Sequence, residues 1–197
     1  MNPEIFIVRF PEVQYHRASD SYIIPHKYVP EVVAFLKEHP DFRLDMCTCC
    51  TAVDWLPETN VTKRKVIENI DGKVVERIEE VIEEKPQFLE TVYHLVSVEK
   101  KHGPFVIRIR TKDREDTRVP SLTPYYRGCE LQEREGFDLF GIYYEGHPDL
   151  RRIFMWEGFK DFPMRKDYVE PDDYEYEPTP HDEVLQKAKR HYPSPTP

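Results

Sequence analysis

Two groups of residues have types and spacing that could do chemistry. The first is Cys47, Cys49 and Cys50, with the distant Cys129. Thiolates are the ligands of iron–sulfur clusters and structural zinc, but this spacing is not that of the usual ligand pairs. Side chains alternate along a strand, so Cys47 and Cys49 are expected on one face with Cys50 pointing away. The cysteines lack the scattered spacing of a disulfide framework and read as small, buried, apolar thiols of a reducing compartment. The second group runs from Glu130 to Tyr168. Its carboxylates Glu133, Glu135 and Asp138 are of the type that serves as general acids, bases or proton relays when the pKa is perturbed. His147 could shuttle protons or ligate a metal. Arg151, Arg152, Arg165 and Lys166 could hold a phosphate or an anionic lipid head. No nucleophile or oxyanion motif accompanies them. They read instead as an ion-pair cluster, in which Arg134 lies four residues from both Glu130 and Asp138, with Leu131 and Leu139 toward the core. His147 is expected to hydrogen-bond the turn at Gly146–Pro148.

These residues need elements to position them, and the chain is long enough to provide one ordinary domain with some length left over. It has 197 residues, 39% hydrophobic and 33% charged, with 18 prolines against 7 glycines. That balance points to a compact body carrying a stiff polar extension. The formal net charge of −9 disfavours nucleic acid, and no basic block relieves it. No stretch approaches the roughly 18–20 apolar residues of a membrane-spanning helix.

Val32, Val33, Phe35 and Leu36 form an apolar stripe at helical spacing over Glu31–Glu38, with Pro30 suited to the first turn. Leu44–Val53 reads as a strand ended by Asp54 and Trp55. Within Lys63–Glu84, two β-branched runs, Val66–Ile70 and Val74–Ile82, flank Asp71-Gly72, a strong hairpin turn. Phe88–Val98 is the most continuous apolar run and reads as a central strand covered on both faces. His102-Gly103-Pro104 is expected to turn the chain into an antiparallel partner strand, where Phe105, Ile107 and Ile109 alternate with Val106, Arg108 and Arg110. Tyr125–Phe140 reads as a helix stopped by Gly141. Gly136 falls inside it, where glycine costs about 1 kcal/mol relative to alanine. Beyond Gly146 prolines dominate, with one late helix expected at Asp182–His191. The fold class is therefore α+β: a mixed or antiparallel sheet with helices packed on it. Residues 1–145 form the domain, 63–84 an inserted hairpin, and 146–197 an extended Pro-rich C-terminal arm.

One segment resembles a known family. Glu133-Arg134-Glu135-Gly136-Phe137-Asp138-Leu139-Phe140-Gly141-Ile142, then Gly146-His147-Pro148-Asp149-Leu150-Arg151-Arg152-Ile153, is similar to the E-R-E-x-x-D-x-x-G-I and G-H-P-x-L-R-x-I blocks of the 30-kDa-type subunit of respiratory complex I. Pro163-Met164-Arg165-Lys166-Asp167-Tyr168 is similar to its P-L-R-K-D-Y block. The resemblance implies a non-redox scaffolding subunit of the hydrophilic arm of a proton-translocating NADH:quinone oxidoreductase. It implies docking on the 49-kDa-type subunit that forms the quinone pocket, which the C-terminal arm wraps. No catalytic, cofactor or metal residue is expected here; FMN and iron–sulfur clusters would reside in partner subunits. The implied interface residues are Glu133, Arg134, Glu135, Asp138, Gly141, His147, Pro148, Arg151, Arg152, Arg165, Lys166, Asp167 and Tyr168. The location implied is peripheral, on the cytoplasmic side of a bacterial inner membrane. A related ferredoxin- or hydrogenase-type complex would carry a similar subunit, and a free-standing cysteine metal or redox module is the alternative of another class.

Overall fold

A computed structural model describes residues 2–70, 73–156 and 158–169, with the backbone alone described for 66–70, 73–79, 81 and 83. The chain runs α1 (Pro3–Arg9), β1 (Gln14–His16), β2 (Ser21–Ile23), α2 (Val29–Glu38), β3 (Met46–Trp55), β4 (Glu58–Ile70), β5 (Lys73–Lys85), β6 (Phe88–Ser97), β7 (His102–Arg110), β8 (Arg118–Pro120), α3 (Glu130–Phe140) and β9 (Tyr143–Glu145). A five-stranded sheet has the order β1-β2-β7-β6-β3. It is mixed: β2 and β7 are parallel, while the other neighbours are antiparallel. β4 and β5 make a separate ribbon, and β8 and β9 a short parallel pair.

The core lies on one face of this sheet. Alternation puts Leu89, Thr91, Tyr93 and Leu95 of β6 beside Phe105, Ile107 and Ile109 of β7 on that face, all buried. α2 buries Val29, Val32, Val33 and Leu36 at helical spacing, with Pro30 in its first turn as expected. α1 places Phe6 edge-on against Tyr22 and Phe105, at 5.1 and 5.2 Å between ring centroids. α3 reaches the same face through Glu133, whose carboxylate accepts from Tyr93.

The α+β class and the antiparallel β6–β7 pair agree with the sequence reading, and several details differ. α3 begins at Glu130, not Tyr125: the N–H groups of Tyr125 and Tyr126 both bond Leu122 O, and a 3-10 turn at Arg127–Cys129 follows. Tyr126 is held out of the helix because its buried phenol donates to Leu44 O at 2.9 Å. The chain reverses before His102, not at His102–Pro104. There Asp45 accepts from Val98 N and Glu99 N at 2.9 and 3.2 Å, and Lys101 takes a left-handed conformation with φ 55°. β3 runs through Asp54 and Trp55, because Trp55 still pairs with Phe88. α1, β8 and β9 are too short for periodicity to reveal. The Asp71-Gly72 turn, the Asp182–His191 helix and the arm beyond 169 lie outside the described residues. Finally, β6 is buried on both faces as expected, but by different means: α1, α2 and α3 share the core face, while among the described residues no helix lies on the other, where Glu90 and Val92 are buried beneath neighbouring side chains.

Candidate functional site

α3 and the segment that follows it form the densest polar assembly in the chain. Glu133, Arg134 and Asp138 fall on the helix's inner side, and Leu131 points outward at 60% exposure. This reverses the expected orientation of Leu131. The helix is seated by polar groups, and each has a partner waiting.

Glu133 is wholly buried. Oε1 accepts from Tyr93 Oη at 3.0 Å and Leu122 N at 2.7 Å; Oε2 accepts from the hydroxyls of Ser121 at 2.5 Å and Thr123 at 2.9 Å. A buried carboxylate is tolerable only when its lone pairs are filled, as here. Burial pushes the Tyr93 phenol well above its ordinary pKa, so it stays a donor. Asp138 is also wholly buried. Its Oδ2 accepts three successive backbone N–H groups, from Ile153, Phe154 and Met155 at 2.9, 2.6 and 3.0 Å. Its Oδ1 receives Arg152 Nη1 at 2.8 Å, and the same nitrogen donates to Asp138 O at 2.9 Å. Burial alone would raise the Asp138 pKa, but the three N–H groups and the guanidinium outweigh it and hold the carboxyl below its usual range.

Arg134 does not pair with Glu130 or Asp138. Its Nε donates to Arg151 O at 3.1 Å and Nη1 lies 3.8 Å from Asp149. Asp138 is claimed by Arg152 and the 153–155 backbone, and Arg134 follows the chain onward instead. Asp149 N donates to His147 Nδ1 at 3.1 Å, so Nε2 is the protonated nitrogen that donates to Glu130 O at 3.0 Å. His147 thus ties its turn to the start of α3.

The far end of α3 is closed by the third sequence block. Gly141 ends the helix at φ 73°, and a Cβ there would lie 2.6 Å from the Phe162 ring. Arg165 Nε donates to Phe140 O at 2.7 Å with its guanidinium over Phe162, and Met164 N donates to Leu139 O at 3.1 Å. A cation on the terminal carbonyls also suits the helix dipole. Lys166 N donates to Asp54 Oδ2 at 2.8 Å, while Arg114 bridges Asp54 at 3.2 Å and Asp167 at shorter range. Tyr168 N bonds Arg165 O at 3.1 Å. Of the sites singled out from sequence, Glu135, Pro148, Arg151, Lys166 and Asp167 remain exposed.

Gly136 has a clear reason to be glycine. A Cβ there would sit 2.3 Å from Tyr144 Oη, which hydrogen-bonds Thr91 Oγ1 at 3.1 Å. The helix approaches β9 so closely that the propensity cost is accepted in exchange for contact.

The cysteines are arranged differently from the expectation. A β-bulge between Cys47 and Cys49 shifts the register, so Cys47 pairs with Leu95 and Cys50 with Tyr93, both core-facing, while Cys49 pairs with His94 on the opposite face. Cys47 and Cys50 are buried, as is Cys129. Burial, with the nearby Glu133 carboxylate, pushes the Cys50 thiol well up; the hydrogen bond that Cys129 donates to Cys47, and then burial, push Cys129 up, and the same bond lowers Cys47. With Cys49 on the other face the four sulfurs do not converge on one point, and among the described residues no three His, Cys, Asp or Glu side chains are grouped to hold a metal.

One polar cluster was missed from sequence. Glu90, wholly buried, accepts from Arg108 at 2.9 Å, Arg110 at 2.9 Å and Trp55 Nε1 at 3.0 Å. The available signal was a lone carboxylate within an apolar strand, beside two arginines two residues apart in the next strand.

Comparison with known proteins adds an independent line. A family model described as "Respiratory-chain NADH dehydrogenase, 30 Kd subunit" matches residues 22–174. The chain is 38% identical over 148 residues to the NADH-quinone oxidoreductase C 2 subunit of Rhizobium meliloti (strain 1021), covering 75% of this chain and 65% of that one. It spans from about half to just under two thirds of the length of such relatives. Two solved structures share the fold. The Nqo5 trypsin-resistant fragment (1-134) gives a TM-score of 0.50 at 22% identity, over 75% of this chain and 96% of that one. A chain of the membrane-bound sulfane sulfur reductase, an archaeal respiratory membrane complex, gives 0.55 at 19% identity, over 96% and 88%.

Proposed function

The chain belongs to the family of the 30 kDa subunit of respiratory-chain NADH dehydrogenase, and on that premise we propose that it is a scaffolding subunit in the hydrophilic arm of an NADH:quinone oxidoreductase, without redox or catalytic chemistry of its own. The observation that carries this reading is the use made of the buried carboxylates on α3. Glu133 and Asp138 have every oxygen occupied by donors of this same chain. A general acid or base needs an open geometry toward a reactant; these two carboxylates instead fix a loop.

What they fix is a presentation surface. Asp138 and Arg152 clamp the chain at 152–155, Arg165 clamps it again at 165, and between them Phe154, Trp156 and Met164 face outward, all exposed. Exposed aromatic and methionine side chains on a rigid support are the composition of an interface core. We assign this surface, with the exposed Glu135, Arg151 and Lys166, to the 49-kDa-type subunit, and the 170–197 arm to the same partner. The complex would hold flavin, iron–sulfur clusters and quinone in other subunits. The chain would sit peripherally, on the cytoplasmic side of the membrane; no described helix is long and apolar enough to cross one.

A tagged chain, recovered from its native membranes in mild detergent, is expected to bring the 49-kDa-type subunit with it. Recovery of the chain without any hydrophilic-arm subunit would sink the proposal. The same preparation tells the electron donor: a co-purifying NADH-binding flavoprotein supports the NADH-fed machine, and its absence from an otherwise complete assembly points to a ferredoxin- or hydrogenase-type relative.

A further inference from the structure

β6 has apolar residues on both faces, the composition of a strand buried on both sides, but among the described residues helices pack on only one. Register fixes what lies on the uncovered face. Trp55, Val53, Thr51 and Cys49 of β3 stand beside Phe88, Glu90, Val92 and His94 of β6, then Arg110, Arg108 and Val106 of β7, then Ile23 of β2. A sheet face meant for water would alternate toward polar residues here; this one carries the half-buried Val53, Val106 and Ile23 around the buried Val92 instead.

The charge on that face is unbalanced. Arg108 and Arg110 converge on the single carboxylate of Glu90, and Lys166 Nζ lies 5.9 Å from the Trp55 ring centroid at the rim. Two guanidinium groups and an ammonium therefore meet one carboxylate, in a chain whose net charge is −9. Arg108 is only 9% exposed, and its Nε has no hydrogen-bond partner. Arg110, by contrast, is about one-third exposed and open to a further acceptor. Glu12, which lines a shared cleft with Ile23 and Arg110, is engaged by Lys27 at 2.8 Å. Trp55, 41% exposed, has its indole N–H fixed on Glu90 and Arg108 beneath its ring at 6.0 Å. It is a rigid aromatic anchor of the kind found at binding hot spots.

We propose that this second sheet face is a protein-docking surface, distinct from the 152–165 surface, and that its occupant is an acidic segment of a neighbouring protein whose carboxylates meet Arg110, beside the buried Arg108–Glu90 pair, and whose apolar side chains cover Trp55, Val53 and Val106. It takes a carboxylate-bearing partner because the uncompensated groups are guanidinium donors, which match carboxylates in geometry. The proposal stands whichever complex the chain belongs to.

Thr51 is exposed and sits on this face opposite Val92, so a photo-crosslinking residue placed there reports the occupant without touching the cluster. The full chain carrying benzoylphenylalanine at 51 would be purified in its native assembly, irradiated and digested. The expected product is a cross-link to a peptide of another protein rich in Asp and Glu, its yield lowered about tenfold by Arg110→Gln and restored by Arg110→Lys. Arg108 keeps Glu90 paired in both variants, and an unchanged circular dichroism spectrum verifies the fold. Cross-linking only to the acidic stretch 170–177 of this chain, to a peptide without carboxylates, or to nothing in an assembly that is otherwise intact, overturns it.

Discussion

Asp138→Asn tests the central physical claim, that a buried carboxylate holds the 152–155 segment on α3. The substitution keeps the shape and removes the charge. If the amide oxygen stays beneath the N–H groups of Ile153, Phe154 and Met155, the amide nitrogen faces Arg152 Nη1, donor against donor, where a 2.8 Å bond stood. If the amide flips, three N–H groups lose their acceptor. Either way one partner of a buried charge pair is gone, a change that typically costs about 3–5 kcal/mol. For a chain of this size that is about 6–20 °C in Tm, at about 2–4 °C per kcal/mol. Thermal and urea unfolding of the purified chain would read it, with Asp149→Asn as the exposed control expected within about 0.5 kcal/mol. The pH dependence supplies a second readout. The folded-state pKa of Asp138 lies below its unfolded value of about 3.9. Its stabilisation is therefore complete above about pH 4 and disappears as pH falls toward the folded pKa. The gap between wild type and Asp138→Asn should accordingly narrow below about pH 4. A cost under about 1 kcal/mol at neutral pH, or a gap that does not narrow in acid, would refute the reasoning.

Other outcomes follow from the same geometry. Gly136→Ala should destabilise by about 1–3 kcal/mol although alanine favours helices, because its Cβ meets Tyr144 Oη at 2.3 Å. Measured by denaturant unfolding, that penalty should shrink in a Tyr144→Phe background, and an equal penalty in both would point elsewhere. Leu131→Ser should change stability by no more than about 0.5 kcal/mol, whereas a loss above about 2 kcal/mol would return Leu131 to the core. In the native protein at pH 8, iodoacetamide should label the half-buried Cys49 before Cys50 and Cys129, whose thiols are buried with raised pKa. Mass spectrometry showing Cys50 modified first would contradict the register given by the bulge.

Legibility in the sequence followed how local each cause is. Alternation along Phe105–Arg110 is a property of a few neighbouring residues, and the strand appeared where it was expected. The stop at Gly141 likewise depends on one residue's freedom to take φ 73°. The inner face of α3 was misread for a physical reason. Hydrophobic periodicity assumes that apolar side chains turn inward, so it aimed Leu131 at the core. Here the inward side is Glu133, Arg134 and Asp138, and the carboxylates' burial is permitted by donors 10–40 residues away in the chain, including Tyr93, Thr123 and the 153–155 backbone. The cysteine orientation failed through a single extra residue, since one bulge exchanges the faces of everything beyond it.

The charges that mark α3 in the sequence and the charges available to a partner are thus different sets. Glu133 and Asp138 shape the molecule from inside, and a partner that removed them from their donors would have to supply eight replacement bonds at once. In the proposed docking, the energy comes from other groups: the exposed Phe154, Trp156 and Met164, and the sheet face that carries Arg110. Substitutions at the two sets should then separate in kind. Loss of Asp138 lowers the stability of the free chain and, through it, assembly. Trp156→Ala should leave the free chain within about 0.5 kcal/mol of wild type while weakening recovery of the partner by about tenfold or more, the effect of truncating an aromatic hot spot. A Trp156→Ala chain that unfolds with wild-type stability and still recovers the partner undiminished would show that this surface is not where the neighbour binds.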